Sequence, residues 1–318
     1  MEPRHSTAIG ALTVDALSKT YRRASTPANQ DICLEFRPGE LTALIGHNGA
    51  GKTTLLNQMI GVTRPDAGTI RYAGRSLTRE PQVARRVCAM MPQLHAPLQG
   101  VTPTQAVSAI ARLRGHSAPA TKRATAELLA ELDIVQWAGV PGEKLSGGLR
   151  RITSYAMAVV CPPPVLLIDE PTNDVDPVRR NLIWKSLRTL ADSGHVVIVV
   201  THNLLEVERS ADRFVLLQQG SVREEGDPRR LSTHAGDMVL TLATAPGRDP
   251  TGVTDPAVTH LRMVLDDSGR QARLYLTAAQ VPDAVSWAQT LADTGVIDSY
   301  TLGPVSLDTL YEGMTNVA

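Results

Sequence analysis

The residues best suited to chemistry in this sequence lie in one glycine-rich segment, GHNGAGKTT, at residues 46–54. Mostly apolar residues 41–45 precede it and predict a short buried strand, whereas Leu55, Leu56 and Met59 continue it as a helix. Glycine lets the backbone wrap closely around a phosphate chain with its amide N–H groups pointing inward. The helix N-terminus adds the positive end of a dipole. The segment therefore predicts a P-loop that binds nucleotide phosphates.

Two side chains of this loop have specific predicted roles. Lys52 would reach the β- and γ-phosphates, and the Thr53 hydroxyl would ligate Mg²⁺. A glycine-rich turn before an ordinary helix is the alternative, and the strand and helix signals on either side disfavour it. The residues predicted to contact the nucleotide here are Gly46, His47, Asn48, Gly49, Ala50, Gly51, Lys52, Thr53 and Thr54.

Two adjacent carboxylates, Asp169 and Glu170, follow the apolar run at residues 165–168. A continuous apolar run predicts a strand buried on both faces of a parallel sheet. Open α/β sheets bind ligands beyond the carboxyl ends of their strands. Asp169 suits the Mg²⁺ shell, and Glu170 can polarise an attacking water. Two solvated acids in a loop are the alternative, which the upstream P-loop disfavours.

Tyr21 and Gln93 have two interpretations each. Tyr21 could stack on an adenine ring, or it could pack within a hairpin. Gln93 ends a strand predicted at residues 87–93, where its amide could coordinate Mg²⁺ or water, or simply face solvent. Neither residue identifies a site alone.

Ser146 and His202 are similarly ambiguous. Ser146, Gly147 and Gly148 precede a helix predicted at residues 151–160, and such a start could bind an anion or merely cap the helix. His202 follows an apolar run that predicts another buried strand. It could donate a hydrogen bond to a γ-phosphate oxygen, or it could be structural.

The sequence predicts two domains. Residues 1–231 form a nucleotide-binding domain that starts with an edge strand at residues 9–14. Apolar residues at three- and four-residue spacing within 102–137 predict helices, and an inserted helical subdomain is expected at about residues 94–160. Residues 232–318 predict a small α+β domain.

Composition narrows the classes of partner and compartment. The formal net charge is zero and aromatic residues make up only 3%, so no nucleic-acid partner is expected. The widely spaced Cys33, Cys88 and Cys161 suit reduced, buried thiols. No run approaches the roughly 18 apolar residues of a membrane span, so a soluble chain is expected. Another subunit would supply any spans.

Taken together, the motifs resemble the ATP-binding subunit of an ABC transporter over about residues 9–231. They occur in the family's order: Tyr21 as A-loop, GHNGAGKTT as Walker A, Gln93 as Q-loop, LSGGLRR as signature, VLLIDEPT as Walker B, residues 173–176 as D-loop and His202 as H-loop. The resemblance implies an α/β fold: a P-loop NTPase (RecA-like) core with an antiparallel β subdomain and an inserted α-helical subdomain, plus the small C-terminal α+β domain.

Two motifs, the signature and the D-loop, depart from the family pattern. Leu149 stands where glutamine is usual, although the drug-export branch often has an apolar residue there, followed by basic ones such as Arg150 and Arg151. In the D-loop, Asp174 and Val175 replace a commoner glycine–leucine pair. The tail, PVSLDTLYEGMT, resembles that of daunorubicin-resistance-type export ATPases.

The resemblance implies ATP and Mg²⁺ as cofactors, with Thr53, Gln93 and Asp169 around the metal. It implies Glu170 as general base, assisted by His202 and Lys52, and a nucleotide contact for the D-loop residue Asp176. Two ATPase subunits, most simply a homodimer, would meet head to tail. Ser146 and the amides of Gly147 and Gly148 would then complete the partner's ATP site.

The family further implies a separate integral membrane permease subunit and a position at the cytoplasmic face of the cell membrane. The C-terminal domain would regulate or dimerise the chain. The leading functional interpretation is the motor of an exporter for a drug, antibiotic or lipid-like molecule. The alternatives are a soluble ABC ATPase acting on ribosomes or DNA, an importer ATPase with a regulatory tail, and a non-catalytic binding module. The single P-loop and the modest helical insertion disfavour the soluble class, and the complete acid–base set disfavours the binding module.

Overall fold

The computed structural model describes residues 10–94, 96–229, 238–244, 263–265 and 271–307. The chain divides into two compact units, residues 1–226 and 227–318. The boundary predicted at residue 231 lies outside the described residues. Within the described part of the chain, no helix is both long and apolar enough to cross a membrane.

The first unit begins with an antiparallel sheet of four strands in the order β2-β1-β4-β5. These strands are β1 Leu12–Lys19, β2 Asn29–Phe36, β4 Ala67–Tyr72 and β5 Arg75–Ser76. Strand β1 pairs with both β2 and β4, so the edge strand predicted at residues 9–14 is wrong. Its alternating pattern reports one buried face, and many interior strands of antiparallel sheets share that pattern.

A second sheet has the order β10-β9-β3-β8-β7-β6 and carries the predicted motifs. Neighbouring strands are parallel, except for the antiparallel pair β9–β10. The strands are β3 Leu41–Ile45, β6 Cys88–Met91, β7 Val165–Asp169, β8 Val196–Val200, β9 Arg213–Gln218 and β10 Ser221–Gly226. The carboxyl ends of β3, β8, β7 and β6 therefore lie along one edge of the sheet.

Strand β8 shows why the apolar runs form the centre of this sheet. Ile198 and Val200 belong to a core shared with the antiparallel sheet and α1. Val197 and Val199 belong to the opposite core, which includes residues of α5 and α6. All five residues of β8 are buried. Burial on both faces explains the continuous apolar sequence.

Seven helices of the first unit are described: α1 Lys52–Met59, α2 Pro81–Val87, α3 Pro103–Leu113, α4 Ala118–Glu131, α5 Gly147–Val159, α6 Pro177–Asp192 and α7 Leu204–Ser210. The helices expected within residues 102–137 are confirmed as α3 and α4. Helix α3 starts with a capping box, in which Thr102 and Gln105 exchange side-chain to backbone hydrogen bonds.

Three local predictions differ from the structure. Helix α5 begins at Gly147, before the predicted start at residue 151, because Ser146 caps it. The strand predicted at residues 87–93 is shorter, since Val87 ends α2 and β6 covers only Cys88–Met91. Cys88 is buried and Cys161 partly so, but Cys33 is exposed, so the prediction of three buried thiols is wrong.

The described part of the second unit contains a sheet with the order β12-β13-β11-β14 and one long helix. The elements are β11 Met238–Thr244, β12 Met263–Leu265, β13 Gln271–Leu276, α8 Val281–Asp293 and β14 Ile297–Pro304. All strand pairs in it are antiparallel. Leu240, Leu274, Trp287 and Leu291 belong to one buried cluster, so this unit has its own core.

Two glycines of the loop between β3 and α1 show how closely this loop is packed. Gly51 has φ +103°, and a Cβ atom there would lie 2.2 Å from the Ala28 carbonyl oxygen. Gly49 has φ +83°, but a Cβ atom there would meet nothing within 4 Å. Both positions favour glycine for backbone reasons. Only Gly51 is also required by close packing.

This difference predicts unequal effects for two alanine substitutions. Gly49→Ala should lower the free energy of unfolding by about 1–2 kcal/mol through backbone strain. Gly51→Ala should cost about 1–3 kcal/mol more, because the β2 segment must move to admit the methyl group. Urea unfolding of the two variants without nucleotide measures the difference. Equal losses would contradict the packing of Gly51 against Ala28.

Candidate functional site

Lys52 lies within the curve of the P-loop. Its ammonium group donates hydrogen bonds to the carbonyl oxygens of Gly46 at 2.6 Å and His47 at 2.9 Å. Burial lowers the pKa of Lys52, and the nearby Glu170 and Asp169 carboxylates oppose that effect. The arrangement places a partly desolvated cation at the predicted phosphate position, where its attraction for an anion is stronger than in water.

The outer side of the P-loop is held by the start of β2 and by the turn between β9 and β10. The buried Asn29 donates from Nδ2 to the Gly51 carbonyl oxygen at 3.2 Å. The Gly220 amide, in the turn between β9 and β10, donates to the Ala50 carbonyl oxygen at 3.1 Å. These bonds use the outward carbonyls of the loop and fix its curvature.

Tyr21 is brought to the P-loop helix from the antiparallel sheet. Its hydroxyl lies 3.5 Å from the Thr54 hydroxyl, and 45% of the residue is exposed. The Lys19 ammonium group lies 5.8 Å from the centre of the ring. The aromatic ring is therefore adjacent to the loop and accessible for stacking.

Asp169 ends β7 and is only 2% exposed. Burial, together with the neighbouring Glu170, raises the pKa of Asp169 to about 6, although Arg151 and Lys52 oppose the rise. Its Oδ2 atom is buried without a hydrogen-bond partner in the described part of the chain. A buried carboxylate oxygen without a donor is chemically suited to a hard cation. Mg²⁺ therefore fits the residues present, with the exposed Thr53 and Gln93 side chains as further oxygen donors.

Glu170 and His202 contact each other directly. Glu170 Oε2 lies 2.9 Å from His202 Nδ1, and the Glu170 side chain is 9% exposed against 71% for His202. The Glu170 amide donates to the Val200 carbonyl oxygen at 2.8 Å. Glu170 has φ +51°, a left-handed conformation that is uncommon for glutamate. An observed backbone outlier of this kind is often associated with a functional site.

Arg151, which is 1% exposed, connects the ends of two strands. Its guanidinium donates to the Glu170 carbonyl oxygen from Nε at 2.8 Å and from Nη2 at 2.6 Å. Nη2 also donates to the Asp169 carbonyl oxygen. Nη1 donates to the carbonyl oxygens of Gln93 and, at 3.2 Å, Pro92. One side chain of α5 thus joins the predicted Q-loop to the main chain of the two predicted Walker B acids.

The signature residues are positioned by α5 and the D-loop. Ser146 caps α5 by accepting a hydrogen bond from the Leu149 amide at 3.3 Å. A Cβ atom on Gly148 would lie 2.5 Å from the Asp174 carbonyl oxygen, so the D-loop packs closely on this end of the helix. Across residues 10–94 and 96–229, no hydrogen bond or ion pair joins Ser146 or the two glycines after it to the P-loop.

Asp176 has a structural role in this chain. It caps α6, accepting from the Arg179 amide at 3.1 Å and from Arg179 Nη1 at 3.0 Å. Arg179 also pairs with Asp133 at 2.8 Å. The predicted contact between Asp176 and a nucleotide stays a prediction.

Two positioning residues were not predicted from the sequence. In the sequence Arg151 is only a basic residue of the signature, because its contacts are with segments far away in the chain. Glu206 accepts hydrogen bonds at 2.9 Å from the Thr172 hydroxyl and from the Trp184 indole. The sequence did carry a signal for the start of α7, because Asn203 followed three residues later by Glu206 is a helix-start pattern.

Comparison with known proteins agrees with these features. A family model described as "ABC transporter" matches residues 29–173. The chain is 33% identical over 246 residues to the Nod factor export ATP-binding protein I of Paraburkholderia xenovorans, covering 77% of this chain and 79% of that protein. It is 29% identical over 309 residues to the daunorubicin/doxorubicin resistance ATP-binding protein DrrA of Streptomyces peucetius, covering 96% and 92%.

Solved structures agree on the fold. The structure of an ATP-binding subunit of an ABC transporter has a TM-score of 0.63 at 29% identity, covering 68% of this chain and 89% of that one. The cassette MJ0796, bound to ADP and Pi, has a TM-score of 0.62 at 24% identity over 68% and 98% of the two chains. With the P-loop, the carboxylate pair and the histidine at one sheet edge, the chain belongs to the ABC transporter family, as an ATP-binding subunit and ATPase of the drug-export branch.

Proposed function

We propose that this chain is the motor subunit of an exporter. It binds ATP with Mg²⁺, pairs head to tail with a second ATPase subunit, and drives export through a separate membrane permease at the cytoplasmic face of the cell membrane. The cargo is a drug, antibiotic or lipid-like molecule. The observation that carries the proposal is the contact between Glu170 and His202 beside Asp169, whose buried Oδ2 atom has no hydrogen-bond partner among the described residues.

The site residues have two kinds of role in ATP hydrolysis: some bind the nucleotide, and others transfer the proton of water. Lys52 and the amides of the P-loop bind the phosphates, and Tyr21 stacks on the adenine. Glu170 accepts the proton of the attacking water, while His202 holds the Glu170 carboxylate in position. Thr53, Asp169 and Gln93 would hold Mg²⁺, which when bound neutralises charge on the β- and γ-phosphates.

The second subunit completes the site. Ser146 and the amides of Gly147 and Gly148 make no contact with the P-loop of their own chain among the described residues, although they form the N-terminus of α5. A helix N-terminus attracts phosphate. A head-to-tail pair brings this end of α5 to the γ-phosphate bound by the other copy. Each ATP is then enclosed by two chains.

The names of the relatives support export over the alternatives. The two relatives described above are called export and drug-resistance ATP-binding proteins, and both cover most of this chain. Helices α3 and α4 are 11 and 14 residues long, so the insertion they form contains no long coiled coil within its described residues. The helix lengths disfavour a soluble ATPase acting on ribosomes or DNA, and the names of the relatives disfavour both that class and an importer ATPase.

Replacing the proposed base tests the assignment of Glu170. Glu170→Gln should lower kcat for ATP hydrolysis about 10²- to 10⁴-fold, because the amide cannot accept the proton of water. The variant should still bind ATP and should accumulate as a closed dimer. Phosphate release and light scattering with ATP measure these two effects. Glu127→Gln, an exposed change on α4, is the matched control, and wild-type turnover by Glu170→Gln would refute the role.

Mixing two inactive variants tests completion by the second subunit. Lys52→Ala damages the P-loop, Ser146→Ala damages the signature, and each alone should hydrolyse ATP poorly. In a head-to-tail pair of one copy of each, one of the two sites is intact. An equal mixture should therefore recover up to about a quarter of the wild-type rate if pairing is random. No recovery at any ratio, together with no ATP-dependent dimer of Glu170→Gln, would indicate that each chain completes its own site.

The buried carboxylate predicts a pH-dependent stability. Because the pKa of Asp169 is raised to about 6, its ionised form destabilises the metal-free fold. The penalty accumulates as the pH rises from about 4, the pKa of an unfolded aspartate, to about 6, and it is complete above that. Asp169→Asn should therefore raise the melting temperature in EDTA at pH 7.5, and the gain should disappear towards pH 4. Asp15→Asn, an exposed change on β1, controls for lost charge. A gain that does not vary with pH would contradict the burial argument.

A further inference from the structure

Arg151 is a buried cation whose five N–H groups are all used. Its five hydrogen bonds go to four main-chain carbonyl oxygens, and no carboxylate side chain pairs with it among the described residues. Arginine presents five donors in a rigid fork, and no other side chain could make the same set of bonds. Removing a charge of this kind from water costs several kcal/mol, so the arrangement depends on accurate geometry.

The four carbonyls belong to the segments that carry the reacting groups. Those of Asp169 and Glu170 lie on either side of the Glu170 Cα atom, and the Glu170 backbone is in the left-handed region. Those of Pro92 and Gln93 follow β6, which pairs with β7. A movement of the guanidinium would therefore shift the proposed base and the Q-loop together.

The helix that carries Arg151 also carries the signature. Ser146 caps α5, and Arg151 follows five residues later, about 7–8 Å along the helix axis. A hydrogen-bonded helix transmits a displacement over this distance with little deformation. In the proposed dimer, the N-terminal end of α5 meets the ATP of the second subunit. This end is rigidly connected to Arg151, which holds the main chain on both sides of Glu170.

We propose that Arg151 is a positioning residue that couples the two ATP sites of the dimer. ATP bound by one subunit draws in Ser146 of the other, α5 moves, and the Arg151 guanidinium sets Glu170 and Gln93 of its own subunit for hydrolysis. This inference rests on the head-to-tail pairing proposed above. Such coupling is a free energy shared between the two ATP sites, so it must be visible as cooperativity in the dependence of the rate on ATP concentration.

A purely structural role for Arg151 is the competing explanation, and the chain offers a matched control. Arg114 donates to the carbonyl oxygens of Ala158, at 2.9 Å, and Val160 at the other end of α5. Burial lowers the pKa of both guanidinium groups. Arg114, which follows α3, thus anchors the same helix through main-chain carbonyls, but its hydrogen bonds among the described residues reach neither the Q-loop nor Glu170.

The first experiment compares Arg151→Lys with Arg114→Lys in the full chain, because lysine keeps the charge and loses the fork. Both variants should melt earlier than wild type. Only Arg151→Lys should lower kcat by at least about ten-fold, since small misplacements of a catalytic group have large effects. Its Hill coefficient for ATP should fall from above 1 to 1. Wild-type kcat and cooperativity in Arg151→Lys, or equal losses in Arg114→Lys, would overturn the proposal.

The second experiment places Arg151→Lys on one chain of the mixed dimer. The active site there uses the P-loop and Glu170 of the Ser146→Ala chain and the signature of the Lys52→Ala chain. Arg151→Lys should lower the recovered rate at least about ten-fold on the Ser146→Ala chain, where it positions the working Glu170. It should have less than about two-fold effect on the Lys52→Ala chain.

The two chains distinguish the possible outcomes. If the loss is greater on the Lys52→Ala chain, Arg151 only supports the signature, and the coupling proposal fails while head-to-tail pairing stands. If Lys52→Ala and Ser146→Ala never complement each other, the light scattering of Glu170→Gln with ATP decides between two causes. Without an ATP-dependent dimer, the pairing itself is wrong and the coupling falls with it. With such a dimer, the loss of the second ATP and its Ser146 has silenced the remaining site, as the coupling requires. Loss confined to the Ser146→Ala chain, with lost cooperativity in the first experiment, supports the proposal.

Discussion

The parallel pairing of β3, β8 and β7 is the constraint on which the site depends. Leu44 and Asp169 both lie opposite Val200, one on each side of β8. This register brings the start of the P-loop, the carboxylate pair and His202 to one edge, although they are far apart in the sequence. A slip of one residue would exchange the faces of the strand and separate Glu170 from the backbone of Val200.

Partial desolvation gives the edge its affinity for charged ligands. Burial disfavours the charged forms of both Lys52 and Asp169, and each is supported by the opposite charge nearby. The Oδ2 atom of Asp169 still has no partner among the described residues. Ligands that supply the missing charges and donors stabilise such a fold by binding it preferentially. The cost of these buried, incompletely paired charges in the ligand-free site therefore favours a ligand that brings both a phosphate and a cation.

Much of the fold and the site could be predicted from local sequence, and the exceptions have physical causes. The P-loop and the Asp169–Glu170 pair were predictable because glycine positions and apolar runs report backbone and burial directly. Helix α6 was not predicted, although its sequence carries a helix start, with Asp176 as N-cap and Pro177 as first helical residue. The position of β1 between two strands was not predictable, because alternation reports one buried face and says nothing of neighbours.

Arg151 marks the limit of local inference, and it also explains why the site is built on a helix. Its bonding partners Pro92 and Glu170 follow two different strands, β6 and β7, so no pattern around residue 151 could reveal them. A loop could position Ser146 equally well for a phosphate, but a loop would absorb any displacement. Helix α5 is held at its far end by Arg114 and in its first turns by Arg151, so a force on Ser146 reaches Glu170. In the proposed dimer, this rigid connection would let ATP bound at one site position the base of the other.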